Sequence, residues 1–280
     1  MNIQETLMEA SRILIESNIK NPYLDSEILL SQTINKNRKY VILNSKQKLN
    51  DKYLNNFYSL IDRRKKGEPI AYLIKKKIFW KESFYVDKNV LIPRPDTEIL
   101  IEETLKLCNK NLTLNVLDVG TGSGCILLSI LKERSKFLGT GIDISKKAIN
   151  VARFNAKVHQ LSNRVKFYNS DVDKFLIGKY DMILSNPPYI KKQDIKYLEK
   201  DVARYEPKLA LDGGRDGFSE INKVICKTSR LIKKKGKFIL EIGFDQKNRV
   251  LNILKNYDFY VNKVVKDYSQ NDRCIISTKI

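Results

Sequence analysis

Two short runs of residues could carry chemistry, and the first is a glycine-rich turn. An apolar, strand-like run and a helix-like run flank the segment Asp118-Val119-Gly120-Thr121-Gly122-Ser123-Gly124-Cys125. Glycines in such a turn let the backbone adopt positive φ and approach a ligand closely. A dinucleotide-binding turn needs a further glycine where Cys125 stands, and no lysine follows the turn to hold a triphosphate. The pattern therefore argues against both a dinucleotide site and a P-loop.

An acidic residue stands at the end of the next predicted strand. Asp143 follows the last glycine of the turn by 19 residues, close to the spacing of about 20 expected for an acid that binds ribose hydroxyls. The alternative use, as a helix N-cap, can be filled by Ser145. The sequence therefore predicts Asp143 as a ribose ligand.

The turn preceded by Asp118 resembles motif I of the S-adenosylmethionine-dependent methyltransferases. The resemblance implies that S-adenosyl-L-methionine is the cofactor and that the turn and the predicted ribose acid bind it, namely Gly120, Thr121, Gly122, Ser123, Gly124 and Asp143. It also places Asp171 and Val172, after the third strand, against the adenine. A loop acid such as Asp171 is equally an ordinary turn residue.

The second run is Asn186-Pro187-Pro188-Tyr189, at the end of the fourth predicted strand. Two prolines after an asparagine would also give a merely rigid turn. Its position favours a site, because ligands of open α/β sheets bind outside the carboxyl ends of the strands. This signature is typical of methyltransferases that act on a planar NH2 group, in adenine, cytosine, guanine or glutamine.

The chemistry of that motif is specific. An amide or aromatic amino nitrogen has its lone pair delocalised, and acceptors for its two N–H groups can turn the lone pair toward an electrophilic methyl group. We predict the Asn186 side-chain oxygen and the Pro187 carbonyl as those acceptors, with Tyr189 stacking on the flat target group. No general base is needed before transfer, since the methylated nitrogen becomes strongly acidic. The single histidine of the chain, His159, is therefore not required.

The composition bears on three other classes of protein: those that bind nucleic acid, those that bind metal and those that enter a membrane. The chain has 52 Lys and Arg against 32 Asp and Glu, a net charge of +20, which invites a nucleic-acid partner. The excess is spread along the chain and contains 39 Lys but only 13 Arg, and arginine is the residue expected to read bases bidentately. No C-x-x-C pair exists, and one histidine excludes a site with two His ligands, so we expect no metal. No signal peptide or long apolar run is evident, so we expect a cytoplasmic protein without a membrane association.

The periodicity of apolar residues changes along the chain. Helical spacing dominates residues 1–75, short strands and prolines follow over 76–95, and strands alternate with helices over 96–280. The strands are predicted at 114–119, 137–142, 165–168, 180–184, 237–241, 259–265 and 274–278. The final two are joined by so short a connection that they should be antiparallel. We therefore predict an α/β fold with a doubly wound, Rossmann-like class I methyltransferase sheet and an antiparallel last strand, preceded by a small all-helical substrate-docking domain and a β-hairpin linker.

Nearly the whole chain resembles the protein-(glutamine-N5) methyltransferases of peptide chain release factors. The matching segments are Gly67-Glu68-Pro69-Ile70-Ala71-Tyr72, Phe79, 90–98 with its Pro-Arg-Pro-Asp-Thr-Glu, 118–124, 186–190, Tyr205-Glu206-Pro207, 209–214, Asp216-Gly217, and Glu241-Ile242-Gly243 with Gln246. The family usually has glycine where Lys75 and Gln270 stand, so this chain departs from the family pattern at these two turns.

The resemblance implies a substrate and a set of contacts. The substrate is the glutamine of the Gly-Gly-Gln loop of class 1 release factors, bound by Asn186, Pro187, Pro188 and Tyr189, with Asn186 also touching the cofactor. Arg94 is expected to hold substrate or cofactor, or else to form a salt bridge that fixes the interdomain hinge. We expect a monomer with no direct nucleic-acid partner. The alternative is a nucleic-acid amino-methyltransferase acting on adenine N6 or guanine N2, which the Asn-Pro-Pro-Tyr motif alone does not exclude.

Overall fold

The computed structural model describes all residues from 1 to 280, and the first five helices of the chain belong to its N-terminal unit. They are α1 (Ile3–Glu16), α2 (Pro22–Thr33), α3 (Arg38–Leu43), α4 (Asp51–Lys65) and α5 (Ile70–Leu73). Asn2 begins α1 with a reciprocal capping box, because its side chain accepts from the Glu5 backbone N–H at 2.9 Å and Glu5 accepts from the Asn2 backbone N–H at 3.0 Å. Their apolar faces bury one core that includes Leu14, Leu29 and Phe57.

A sixth helix of this unit comes from much later in the chain. The unit comprises Met1–Lys76 together with Glu199–Tyr205, which contains α9 (Lys200–Tyr205). Buried Arg64 donates to Asp25 Oδ2 at 2.7 Å and to Asp201 Oδ2 at 3.2 Å. Nothing in the periodicity of the sequence indicated that residues 199–205 would pack with the N-terminal helices.

The second unit, Lys77–Leu198 with Glu206–Ile280, begins with a hairpin and contains one seven-stranded sheet. The hairpin pairs β1 (Lys77–Phe79) with β2 (Glu82–Phe84). The sheet is formed by β3 (Asn115–Val119), β4 (Leu138–Asp143), β5 (Val165–Asn169), β6 (Tyr180–Ser185), β7 (Ile232–Glu241), β8 (Phe259–Lys266) and β9 (Asp272–Lys279). Its helices are α6 (Glu98–Leu107), α7 (Cys125–Glu133), α8 (Lys146–Val158), α10 (Ser219–Leu231) and α11 (Lys247–Asn256).

The strand order is β5-β4-β3-β6-β7-β9-β8. The first five of these strands are mutually parallel, and β9 is antiparallel to both β7 and β8. The chain proceeds from β3 outward to β5 and then returns to β6, so the switch point of the sheet lies between β3 and β6. The predicted doubly wound sheet with an antiparallel last strand is confirmed.

Apolar side chains cover both faces of the sheet. One core holds Val116, Leu128 and Ile149 with their neighbours from α6, α7 and α8, and the other holds Leu117 and Ile225 with neighbours from α10 and α11. Adjacent residues of β3 thus point into opposite cores, as expected for a sheet buried on both sides. The carboxyl ends of β3 and β6 are thereby fixed side by side.

Some element bounds differ from the predicted ones. Strand β7 begins at Ile232, five residues before its predicted start, and its exposed lysines 233–235 precede the buried part of the strand. No helix is long and apolar enough to cross a membrane.

Lys75 and Gln270, where glycine was expected, have φ of 53° and 67°. Both turns therefore adopt the left-handed geometry that glycine would favour.

Candidate active site

The glycine turn begins directly at the end of β3. The backbone N–H groups of Gly120 and Thr121 both donate to the Ile142 carbonyl of β4 at 2.9 Å. Gly120 has φ of +75°, and a Cβ built on it meets no heavy atom within 4 Å. Since Gly120 also lines the large cavity of this unit, its bare backbone faces open space. The turn is thus a concave cradle with room for a ligand against its main chain.

Asp143, at the end of β4, accepts hydrogen bonds from this turn and from the backbone just before α8. Its Oδ2 accepts from the Gly122 backbone N–H at 2.9 Å, and its Oδ1 accepts from the Ser145 backbone N–H at 2.8 Å. Burial raises the pKa of the Asp143 carboxyl, and the two backbone donors oppose that shift. The side chain also lines the cavity, where each oxygen keeps a further lone pair for ligand hydroxyls. Ser145 caps α8, accepting from the Ala148 backbone N–H at 3.2 Å.

The remaining residues of the turn contact other parts of the fold and so hold the turn in its conformation. Thr121 donates its hydroxyl to Asp118 Oδ2 at 2.7 Å, and the Ser123 carbonyl accepts from Asn155 Nδ2 at 2.8 Å. A Cβ on Gly124 would lie 3.1 Å from Leu128, so this glycine allows the close packing of α7. None of Thr121, Ser123 and Gly124 lines the cavity.

Asp171 and Val172 both line the cavity beyond the end of β5. Asp171 also accepts from the Asp173 backbone N–H at 3.0 Å and so begins a single 3₁₀ turn. The two uses that the sequence left open for Asp171, ligand contact and turn residue, are therefore compatible.

The Asn-Pro-Pro-Tyr segment leaves β6 and forms a second wall of the same cavity. Asn186, Pro187 and Pro188 line it, together with Gly120, Gly122 and Asp143. Asn186 Nδ2 donates to Thr97 Oγ1 at 3.1 Å, which leaves the Asn186 side-chain oxygen without a protein donor. The two predicted motifs, more than 60 residues apart in the sequence, thus meet at the switch point.

Tyr189 is not part of the cavity lining, and its hydroxyl belongs to a buried polar group. Its hydroxyl lies 3.5 Å from Glu241 Oε1 and 3.5 Å from Arg273 Nη1. Burial first, and then the Glu241 charge, raises the pKa of the Tyr189 hydroxyl to about 12. The predicted stacking of the Tyr189 ring on the target group stays a prediction, because this tyrosine is not among the residues that line the cavity.

Arg94 forms a salt bridge. Its Nη2 lies 2.6 Å from Glu206 Oε1, and the Glu206 side chain is almost fully buried. Arg94 does not line the cavity. Two other residues of the Pro-Arg-Pro-Asp-Thr-Glu segment also bond to distant parts of the chain. Thr97 accepts from Asn186, and Glu98 accepts from the Trp80 backbone N–H at 2.7 Å.

Sequence reasoning assigned no role to Gln246, which holds the tyrosine end of the motif. Gln246 is buried, donates from Nε2 to the carbonyls of Gly217 at 2.9 Å and Tyr189 at 3.2 Å, and accepts from the Gly243 N–H at 2.9 Å. A Cβ on Gly213 would lie 2.8 Å from the Tyr189 backbone. These residues matched the family pattern, and only the packing shows that they surround the motif.

The cavity has a volume of about 880 Å³, and its lining includes four basic residues, namely Lys192, Lys208, Arg215 and Lys223. This volume lies in the range of about 300 to 1,000 Å³ typical of ligand sites. The glycine cradle at one wall, the carboxylate of Asp143 and the apolar side chain of Val172 suit a nucleoside cofactor. His159 lies elsewhere, with its ring 4.8 Å from that of Phe84.

The fold and this cavity define a methyltransferase. Residues 110–274 match the family model described as a methyltransferase domain, and residues 5–74 match that described as the PrmC N-terminal domain. One similar curated protein is the release factor glutamine methyltransferase of Clostridium acetobutylicum, 38% identical over 282 residues. Another is the release factor glutamine methyltransferase of Buchnera aphidicola subsp. Acyrthosiphon pisum, 38% identical over 279 residues. Each alignment covers 100% of this chain and 99% of the relative. The chain therefore belongs to the release factor glutamine methyltransferase family.

Solved structures agree on the fold. A ribosomal protein L11 methylase from Lactobacillus delbrueckii subsp. bulgaricus aligns with a TM-score of 0.52 and 17% identity, covering 73% of this chain and 90% of that one. A methyltransferase from Pyrococcus furiosus aligns with a TM-score of 0.51 and 19% identity, covering 80% of this chain and 98% of that one.

Proposed function

We propose that this protein methylates the side-chain amide nitrogen, N5, of the glutamine in the Gly-Gly-Gln motif of class 1 peptide chain release factors, using S-adenosyl-L-methionine. The observation that carries the proposal is the meeting of two motifs at one cavity, the glycine turn with Asp143 on one wall and Asn186-Pro187-Pro188 on the other. The names of the full-length relatives support the substrate.

The cofactor-binding roles are assigned to the first wall. Gly120 and Gly122 offer bare backbone, the Asp143 carboxylate accepts from the ribose hydroxyls, and Asp171 and Val172 flank the adenine. Thr121, Ser123 and Gly124 keep the turn in shape through contacts with Asp118, Asn155 and α7. When bound, S-adenosylmethionine supplies a methyl group made electrophilic by its sulfonium sulfur.

The catalytic roles are assigned to the second wall. The Asn186 side-chain oxygen and the Pro187 carbonyl accept the two amide N–H groups and so turn the nitrogen lone pair toward the methyl group. Their dipoles also stabilise the positive charge that develops on that nitrogen. Pro188 fixes the backbone, and the ring of Tyr189 is the surface on which the amide stacks. The extra proton leaves to water once the nitrogen is methylated.

The rest of the chain serves the protein substrate. Residues 1–75 dock the release factor, 76–95 link, and 96–280 carry out the transfer, in a cytoplasmic monomer that acts in translation termination. Arg94 is assigned to substrate binding, with its Glu206 salt bridge holding it in place. The basic residues along the cavity suit an acidic surface on the release factor.

The decisive experiment is transfer of a labelled methyl group from S-adenosylmethionine to purified class 1 release factor. We expect label on the intact factor and none on a factor whose loop glutamine is replaced by alanine. Label on RNA or DNA, with none on the release factor, would establish the nucleic-acid alternative and refute the proposal.

The same assay tests the motif itself through Asn186→Ala. Loss of one positioned acceptor in the transition state typically lowers kcat by about 100- to 1,000-fold. We expect that loss with cofactor affinity largely intact by calorimetry, because the cradle and Asp143 are unchanged. Full turnover in this variant would contradict the role given to the Asn186 side chain.

A further inference from the structure

The last residue of the Asn-Pro-Pro-Tyr segment, Tyr189, is in close contact with three glycines and one glutamine. A Cβ built on Gly213 would lie 2.8 Å from the Tyr189 Cα, and one on Gly217 would lie 2.6 Å from the Tyr189 carbonyl oxygen. A Cβ on Gly243 would lie 3.0 Å from Gln246 Oε1 and 3.3 Å from Tyr189 Cδ2. Approach this close requires residues without a side chain. We call these three glycines and Gln246 the Tyr189 collar.

Gln246 is the polar member of the collar, and it uses both ends of its side-chain amide. Its Nε2 donates to the carbonyls of Tyr189 at 3.2 Å and Gly217 at 2.9 Å. Its Oε1 accepts from the Gly243 backbone N–H at 2.9 Å. The reversed amide would set its oxygen against two carbonyl oxygens, so only one orientation satisfies all three partners. Since the residue is only 3% exposed, water does not replace these bonds.

The segment between β6 and the collar is stiff and is fixed at both ends. Its two prolines each hold φ near −65°. At the first end, Ser185 of β6 donates its hydroxyl to a carbonyl of β3 at 2.8 Å. At the second end, Gln246 holds the Tyr189 carbonyl. The Pro187 carbonyl, which is assigned as an acceptor for the target amide, lies between these ends, so its direction depends on both of them.

We propose that Gln246 is a positioning residue for methyl transfer, which holds the Tyr189 carbonyl and thereby fixes the direction of the Pro187 carbonyl. Its effect on catalysis rests on the proposed function. Neither Gln246 nor the collar glycines line the cavity, so Gln246 acts through the motif and not by contact with the cofactor. A misplacement of about 1 Å at reacting groups costs about 100-fold in rate. Loss of the Gln246 bonds therefore lowers kcat and leaves the cofactor site as it is.

Two substitutions disturb the Tyr189 carbonyl in different ways, and a third is their control. Gln246→Met keeps most of the side-chain volume but removes both donors and the acceptor. Gly217→Ala keeps Gln246 and adds a Cβ 2.6 Å from the Tyr189 carbonyl oxygen. The control is Gly178→Ala, because Gly178 has the same φ of +82° as Gly217 but its added Cβ would lie nearest the Tyr180 side chain. The two alanine variants therefore share the backbone strain and differ in the contact with the motif.

The kinetic readout is kcat for release factor methylation beside the Kd for S-adenosylmethionine. We expect kcat to fall about 10- to 100-fold in Gln246→Met and Gly217→Ala and to stay within about twofold of the wild type in Gly178→Ala. The Kd should stay within about twofold in all three variants, because none of these positions lines the cavity. Wild-type kcat in Gln246→Met and Gly217→Ala would overturn the positioning role and leave the proposed function standing. A loss of cofactor affinity in step with kcat would also overturn it, since that result indicates a general loss of structure.

A measurement without substrate tests the collar independently of the function. Hydrogen exchange of residues 189–192, followed by mass spectrometry, should be faster in Gln246→Met and Gly217→Ala than in the wild type and in Gly178→Ala. The reason is that the Ile190 N–H, which donates to the Leu211 carbonyl at 3.2 Å, directly follows the displaced Tyr189 carbonyl. Unchanged exchange there, or an equal rise throughout the sheet, would refute the positioning role. Absence of methyl transfer by the wild type would instead refute the proposed function.

Discussion

Asp143 gives the most direct test of how the cavity holds its cofactor. The perturbation is Asp143→Ala, with Asp143→Asn beside it. The alanine removes the acceptor of the Gly122 and Ser145 backbone N–H groups, which lie 2.9 Å and 2.8 Å from the two carboxylate oxygens. The asparagine keeps one oxygen but must turn its NH2 group toward one of these two donors.

The magnitude follows from the hydrogen bonds at stake. Bonds to a charged acceptor contribute about 1.5 to 3 kcal/mol each, and the carboxylate is assigned to two ribose hydroxyls. Water replaces part of what is lost in the alanine variant, so we expect the binding free energy to weaken by about 2 to 4 kcal/mol. At about 1.4 kcal/mol per factor of ten, that raises the Kd for S-adenosylmethionine roughly 30- to 1,000-fold.

The assay is isothermal titration calorimetry with S-adenosylmethionine and with its demethylated product, since both carry the same ribose. Asp181→Asn is the matched control, because Asp181 also accepts from a strand N–H, that of Asn115 at 2.9 Å, but lies outside the cavity. A Kd for Asp143→Ala within about twofold of the wild type would contradict the ribose assignment.

Two further predictions concern stability. Replacing Lys75 or Gln270 by glycine should raise the free energy of unfolding by about 0.5 to 1 kcal/mol each in urea denaturation, because relief of a left-handed φ outweighs the added chain entropy. As a control, replacing exposed Lys166 of β5 by glycine should lower the free energy of unfolding. Equal losses of stability at all three sites would contradict the argument. Burial raises the pKa of Asp118 to about 7, so the folded protein keeps a proton that the unfolded chain releases near pH 4, and stability should fall as pH rises across that window by up to about 1.4 kcal/mol per unit. The stability of Asp118→Asn relative to the wild type should therefore increase between about pH 5 and about pH 7. A difference in the free energy of unfolding that stays constant over this range would refute the linkage.

The sequence was sufficient for features that depend on neighbours in the chain. A glycine turn between a strand and a helix, an acid 19 residues later and Asn-Pro-Pro-Tyr after another strand are each local patterns. Their meeting was predictable as well, because parallel strands in a doubly wound sheet end at one edge. The antiparallel pairing of β8 and β9 followed from the shortness of their connection.

Residues that act through contacts distant in the sequence could not be found this way. In the sequence, Gln246 looks like any polar residue before a helix. Only the fold brings it into contact with Tyr189, which precedes it by 57 residues. Thr97 reads as a helix cap, yet its partner is Asn186, 89 residues later. The sequence of segment 199–205 does not indicate its partners, yet the segment packs with the N-terminal helices.

The division has a physical basis. Strand and helix periodicity, turn chemistry and the positions of strand ends are set by backbone geometry within a few residues, so the sequence by itself determined the fold class and the two walls of the cavity. Which polar side chains are buried together is decided by the packing of whole elements. Only the tertiary structure brought Glu241, Tyr189 and Arg273 into one group, because that group draws its members from three separate segments of the chain.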